Sequence, residues 1–350
     1  MGAVEKFCIQ GATRMQFLSS YQHFASQIAE TLRKVFALRS STDTANRLIE
    51  VGEYALSASG KMLRGVMLLA ACQAVGGNPE EVLYAAAGIE AAHLASLIHD
   101  DIIDRDELRR GKRTIWSAYG SDLAILAGDL FFFEAFHCLS LCRHTVPAER
   151  VARCLEALST AWANISFGQA LEEKLVRNCL ASRAEYDRVV FLKTGSLFRA
   201  ALEMGAILGG GSEEQVAILR EYSAELGSAF QIVDDLLPYM SNEQTMGKPV
   251  TSDIRNHRVT LPILCAFRDG SEADRSILQT IFVEGQFDHA LMVAHTMINT
   301  ILERTGTKAS LVREVGQMQD QSLTHLLLLP AGEGREFLGM ISGMALQRLQ

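Results

Sequence analysis

The chain has 350 residues, 48% of them hydrophobic and 21% charged, with six prolines, so it can close a core and is too apolar to be disordered. Its formal net charge is −8 with no dominant basic face, which argues against a nucleic-acid partner. An acidic protein that takes an anionic substrate must reverse its own field locally, with Lys, Arg or metal ions.

Residues 1–20 read as a loose leader. From about 21 the pattern is helical, with Tyr21, Phe24, Ile28, Leu32 and Phe36 at three- and four-residue steps. Helices are expected over about 44–58 and 61–75, with a stop at Gly76-Gly77-Asn78-Pro79. Pro79 then opens a long helix, with Glu80 and Glu81 in its first turn, that runs to the aspartates at 100–104. Residues 105–116 are polar and basic and read as a loop. Helices follow at about 118–142, 147–175, 182–209, 213–236, 258–268, 272–284, 286–303, 308–327 and 332–348. No run of strands, internal repeat or long linker interrupts them. The expectation is one all-α domain over 21–350, with its site between helices.

The seven cysteines (Cys8, Cys72, Cys138, Cys142, Cys154, Cys179 and Cys265) are scattered and odd in number, which favours buried thiols in a reducing cytoplasm. His137, Cys138, Cys142 and His144 complete no zinc spacing and read as packing residues. No uninterrupted apolar run reaches the roughly 20 residues of a transmembrane segment, and the N-terminus lacks a signal-peptide pattern.

Two acidic clusters carry the chemistry. Asp100 and Asp104 lie four apart on one helix face, with Asp101 beside them, at a helix C-terminus where the dipole prefers cations. That crowding costs of order 1 kcal/mol, and a bound divalent cation removes it. Oxygen-only donors suit magnesium. Asp234 and Asp235 repeat the arrangement at the end of another apolar helix. Lys61, Arg64, Arg109, Arg110, Lys112, Arg113, Lys193, Lys248, Arg255 and Arg258 supply basic groups near the clusters in sequence. Acids and bases around an apolar helical interior describe a site for a diphosphate with a hydrocarbon tail.

In order and spacing, these motifs resemble the trans-isoprenyl diphosphate synthase (polyprenyl synthetase) family over about residues 45–265. Gly60-Lys61-Met62-Leu63-Arg64 resembles the family's Gly-Lys-x-x-Arg, and Glu90 to Asp104 resembles its first aspartate-rich helix. Asp106 to Thr114, Gly128-Asp129, Lys193-Thr194-Gly195, Gly227 to Asp235, Gly247-Lys248, Asp253 and Arg258 to Pro262 follow in family order. The resemblance implies a homodimeric prenyltransferase that condenses isopentenyl diphosphate with an allylic prenyl diphosphate. It implies two magnesium ions on Asp100, Asp101 and Asp104 and a third on Asp234 with Asp235. Arg109, Lys193 and Lys248 would grip the allylic diphosphate. Lys61, Arg64, His93 and Arg110 would bind isopentenyl diphosphate, and Thr194 and Gln231 would line the reacting carbons. Arg258 joins the binding set. His99 reads as a packing residue.

The chain departs from the family where Pro238 replaces the third Asp of the second cluster, Met62 a usual Arg, Gly65 a usual Pro, and Arg258 a usual Lys. In this family the residues one turn below the first aspartate floor the tail cavity. Ala95 and Ser96 are small there, as is Ala92 a turn deeper, so a product of C20 or longer is expected, with Ile89 as a later stop. A terpene cyclase or an atypical prenyltransferase would share the fold and the diphosphate site, but the late Asn/Ser/Glu metal motif of cyclases is missing at Asn242-Glu243. A catalytically weak subunit of a heteromeric synthase is the remaining alternative, and Pro238 is its main support.

Overall fold

The computed structural model describes residues 11–40, 47–58, 60–176, 182–240, 250–287 and 289–347. Sixteen helices are described: α1 Gly11–Ser40, α2 Arg47–Ser57, α3 Leu63–Ala74, α4 Leu83–Asp104, α5 Ile115–Tyr119, α6 Ser121–Leu141, α7 Ala148–Val176, α8 Arg183–Val190, α9 Ser196–Leu208, α10 Glu213–Met240, α11 Ser252–Arg255, α12 Leu261–Asp269, α13 Glu272–Phe282, α14 Leu291–Arg304, α15 Thr307–Leu326 and α16 Glu333–Gln347. The only sheet among the described residues is a hairpin of two-residue strands, β1 Leu108–Arg109 and β2 Lys112–Arg113. The fold is all-α, as the composition implied.

Two sequence expectations change. Residues 11–20 are helical rather than a leader, because Phe17 and Tyr21 bury themselves: the Phe17 ring lies 4.7 Å from that of Phe337 in α16. The span Pro79–Asp104, with a short 3₁₀ turn ahead of α4, and the span Ser121–His144 are long and apolar enough to cross a membrane. Counting uninterrupted runs missed them, because isolated polar residues do not spoil a helix-length average. Here they pack on each other as the central pair of the bundle. Gly88 makes this approach possible, since a Cβ there would sit 2.8 Å from the Ala135 carbonyl oxygen. Gly205 does the same for α9 against Leu68 of α3.

One hydrophobic cluster runs from Phe17 to Ile341 and holds α3, α4, α6, α7, α9 and α10 together. A second, smaller one joins α12, α13 and α14 to Tyr239 at the end of α10. Cys72, Cys138, Cys142, Cys154 and Cys265 are buried free thiols, and burial pushes Cys72 up to about 12 and Cys142 to about 11. Because α4 and α10 both carry their acids at one end of this core, the site is built on rigid ground.

Candidate active site

The first acidic rim is closed by a local turn. Arg105, in the left-handed region (φ 55°), ends α4 by donating its N–H to the Asp101 and Ile102 carbonyls. The β1–β2 hairpin, turning through Arg110 and Gly111 at positive φ, then folds back over the helix end. This places Arg109 Nε 2.7 Å from Asp101 Oδ1.

Two other segments bring cations to the same rim. After α8 the chain makes one wide π-type turn, Phe191–Gly195, a distortion common at functional sites. It projects Lys193, whose Nζ lies 2.6 Å from Glu172 Oε2 and 3.9 Å from Asp100 Oδ1. Arg258 donates to Asp104. Each aspartate of the rim therefore faces a cation, which offsets the crowding that the sequence suggested. Burial is the larger influence. It raises Asp100, against the pull of Lys193, and pushes Asp101 up to about 6. Burial would raise Glu172 too, but Lys193 and Arg258 hold it below its usual value.

The second pair divides. Asp234 is exposed, while Asp235 is only 5% exposed. Asp235 accepts from Gln231 Nε2 at 2.8 Å, Tyr186 Oη at 2.7 Å and the Leu261 N–H at 3.0 Å. Of the two residues expected to share a metal, Asp235 has its oxygens turned into the protein, and Asp234 is the member that faces outward. Burial still pushes Asp235 up to about 7, because the three donors offset only part of the desolvation. Thr194 Oγ1 donates to Gln231 Oε1 at 2.7 Å, tying the Lys193 turn to α10. Pro238 lies buried two residues before the end of α10, and its carbonyl is 2.8 Å from His295 Nε2.

Around His93 the basic residues gather. The Arg64 guanidinium lies 4.8 Å from the centre of the Phe198 ring, and its buried Nε has no hydrogen-bond partner. A buried donor left unpaired costs about 1–3 kcal/mol, which an incoming phosphate oxygen can recover. Burial lowers Arg64, while Glu90 and then Asp234 support its charge. Burial also holds His93 well below its usual value, with Arg64, Arg110 and Arg109 adding to the effect. Arg64, His93, Arg109 and Arg110 are thus one electrostatic group with a neutral imidazole inside it. Lys61 is exposed, and its carbonyl accepts from Tyr21 at 2.8 Å. Lys248 lies outside the described residues.

The Polyprenyl synthetase family model matches residues 45–297. The short chain isoprenyl diphosphate synthase of Methanothermobacter thermautotrophicus is 34% identical over 95% of this chain and 98% of its own length. This chain belongs to the polyprenyl synthetase family. Its solved relatives include the geranylgeranyl pyrophosphate synthetase of Pyrococcus horikoshii, with a TM-score of 0.86 and 30% identity over 95% of this chain and 99% of that one. The polyprenyl synthase of Caulobacter crescentus, solved with calcium and isoprenyl diphosphate, has a TM-score of 0.83 and 27% identity, covering 94% and 97%. As a polyprenyl synthetase, the chain is a prenyltransferase.

Set against that family's tail cavity, the four chain-length candidates separate. Ser96 is half-buried on the Asp100 face, whereas Ala95, Ala92 and Ile89 have no accessible surface. Ser96 is thus the member that the core leaves partly uncovered, and the other three are packed. A cavity of about 310 Å³ lies elsewhere, between α7, α9 and α10, where Arg199 and Arg220 share Glu203 and Arg153 pairs with Glu213. It holds none of the aspartates. Among the described residues no three His, Cys, Asp or Glu side chains converge as a ready-made metal cage.

Sequence reasoning missed Glu172, Tyr186 and Phe198. Glu172 had a usable signal. Glu172-Glu173 is another acidic pair late in a helix, placed as Asp100-Asp101 and Asp234-Asp235 are in theirs. Tyr186 and Phe198 had none, because their partners are 49 and 134 residues distant in sequence.

Proposed function

We propose that this prenyltransferase condenses isopentenyl diphosphate with an allylic prenyl diphosphate to give a linear trans product of C20 or longer. The observation that carries the reading is a pair of charged groups that share Arg109 at the end of α4. One is the acidic rim with Lys193, Arg109 and Arg258, and the other is the basic group of Arg64, His93 and Arg110.

The rim suits magnesium. Its donors are all oxygen, and those of Asp100 and Asp101 are partly dehydrated. Asp100, Asp101 and Asp104, with Asp234 opposite, would hold up to three ions. Magnesium held by these aspartates would neutralise the charge that grows on departing pyrophosphate. Lys193 and Arg109 orient that leaving group, with Lys248 assigned to it by resemblance. The allylic C–O bond breaks, and the isopentenyl double bond attacks the carbon so freed. A proton then leaves for a pyrophosphate oxygen. Arg64, Arg110 and Lys61 hold the second diphosphate. His93, kept neutral by burial and then by its cationic neighbours, donates a hydrogen bond and adds no positive charge. Thr194 and Gln231 turn oxygen dipoles toward the transient cation.

The functional unit we propose is a cytoplasmic homodimer. Apolar side chains on α6 and α7, among them Phe133 at 64% and Phe167 at 68% exposed, support a shared face.

The test is incubation with magnesium, isopentenyl diphosphate and each of the C5, C10, C15 and C20 allylic diphosphates, with products identified by mass. Linear chains of C20 or longer are expected. Hydrocarbons formed without isopentenyl diphosphate would instead mark a cyclase, and binding without turnover a non-catalytic subunit.

A further inference from the structure

Gln231 and Asp235 are one helical turn apart on α10, so their side chains lie on one face. Asp235 Oδ2 is fixed by two donors, Tyr186 Oη and the Leu261 N–H, and Oδ1 faces Gln231. In its ionised form the Asp235 carboxyl offers acceptors only. The carboxamide of Gln231 must therefore turn its NH₂ toward Asp235 and its carbonyl oxygen away. That oxygen receives the Thr194 hydroxyl proton at 2.7 Å. With its proton committed, Thr194 has lone pairs left for the cavity.

We propose that Asp235 is a positioning residue which sets the orientation of the Gln231 carboxamide, so that Gln231 and Thr194 present oxygen lone pairs rather than protons to the reacting carbons. The inference rests on the assignment of Thr194 and Gln231 to those carbons. It gives the second aspartate of the pair an electrostatic task distinct from metal binding. Tyr186 and Leu261 act one step further out, by fixing which oxygen of Asp235 faces Gln231.

The chain of bonds predicts an inversion. In Asp235→Asn the carbonyl must take the Oδ2 position, because Tyr186 and Leu261 both donate there. The new NH₂ then faces Gln231 and repels its NH₂. The Gln231 amide turns over, Thr194 becomes the acceptor, and protons point at the cation. An array of wrong polarity lowers kcat, by about a hundredfold for a group of this kind. Both KM values and the magnesium concentration for half activity stay within about threefold, because no diphosphate or metal contact is lost. Adding Gln231→Glu to Asp235→Asn restores an acceptor-only side chain. It accepts from the new NH₂ and from Thr194, and kcat recovers at least about tenfold. Gln231→Glu alone, with two carboxylates facing each other, should be slower than the double variant.

The measurements are steady-state kcat, KM and magnesium titrations on wild type, D235N, Q231E and the double variant, with circular dichroism to confirm folding. If D235N shifts the magnesium requirement and regains full kcat at saturating magnesium, Asp235 is a ligand and the proposal fails. A folded double variant no faster than D235N also overturns it. If D235N alone does not fold, the double variant decides by the same criterion, read against wild type: within about tenfold supports the idea, and folded but inactive sinks it. Thr194→Val and Gln231→Leu separate the levels. Unchanged kcat in both removes the assignment of these residues to the cation. A slow pair beside an unaffected D235N removes only the role given to Asp235.

Discussion

Ser96→Phe and Ala95→Phe are neighbours in sequence and should behave differently. Ser96 lies four residues before Asp100, about 6 Å along the helix axis, on the half-buried face below the rim. Its hydroxyl bonds only to the His93 carbonyl of its own helix, at 2.8 Å, so its loss is cheap. A phenyl ring there would fill the space we assign to the growing tail, after roughly one isoprene unit. Ala95 has no accessible surface, and a ring there must displace core atoms. Overpacking costs about 1–3 kcal/mol, or more for so large a change. At about 1–2 °C per kcal/mol in a chain of this length, that lowers Tm by several degrees. The assay is product mass with excess isopentenyl diphosphate, alongside thermal unfolding of each variant. We expect S96F to shorten the product at near-native Tm, and A95F to lower Tm first. Unchanged product length in S96F, or a shortened product at native Tm in A95F, would refute this helical phase.

Acid should weaken the fold through His93. Its folded-state pKa is depressed by burial, so the neutral form's contribution is complete above the ordinary value of 6.5 and is lost as pH falls from there toward the depressed value. The slope is at most about 1.4 kcal/mol per pH unit. His93→Asn should flatten the acid limb of denaturation midpoints between pH 7.5 and 5; parallel curves would refute the assignment. The comparison must be with the variant, since Glu90 and Asp235 are raised by burial and act in the opposite sense, losing stability as pH rises. Phe133→Glu should convert the proposed dimer to monomer by sedimentation; equal masses for the two proteins would move the interface elsewhere.

Much of the fold was legible because helices of this size declare themselves locally, by apolar spacing and by breaks at Gly and Pro. The acidic helix end at 100–104 was legible for the same reason. What escaped were relations between distant segments. Lys193 meets Glu172 only through the wide turn at 191–195, and Arg258 reaches Asp104 across 154 residues. Asp234 and Asp235 looked equivalent in sequence, yet helical phase already separates them. Asp235 shares a face with Gln231, and Asp234 points about 100° away. The leader was misjudged because Phe17 and Tyr21 find their partner, Phe337, only at the other end of the chain.

The cations that sit on the acidic rim have a consequence for turnover. Lys193, Arg109 and Arg258 are already engaged with Glu172, Asp101 and Asp104. A pyrophosphate or metal arriving at this rim must trade places with a resident partner, so binding there is an exchange of one ion pair for another. The net affinity is a difference between similar quantities, and that moderates how tightly pyrophosphate can be retained once the carbon–carbon bond is made. A site whose charges were unpaired at rest would hold its by-product far longer and stall between rounds of elongation.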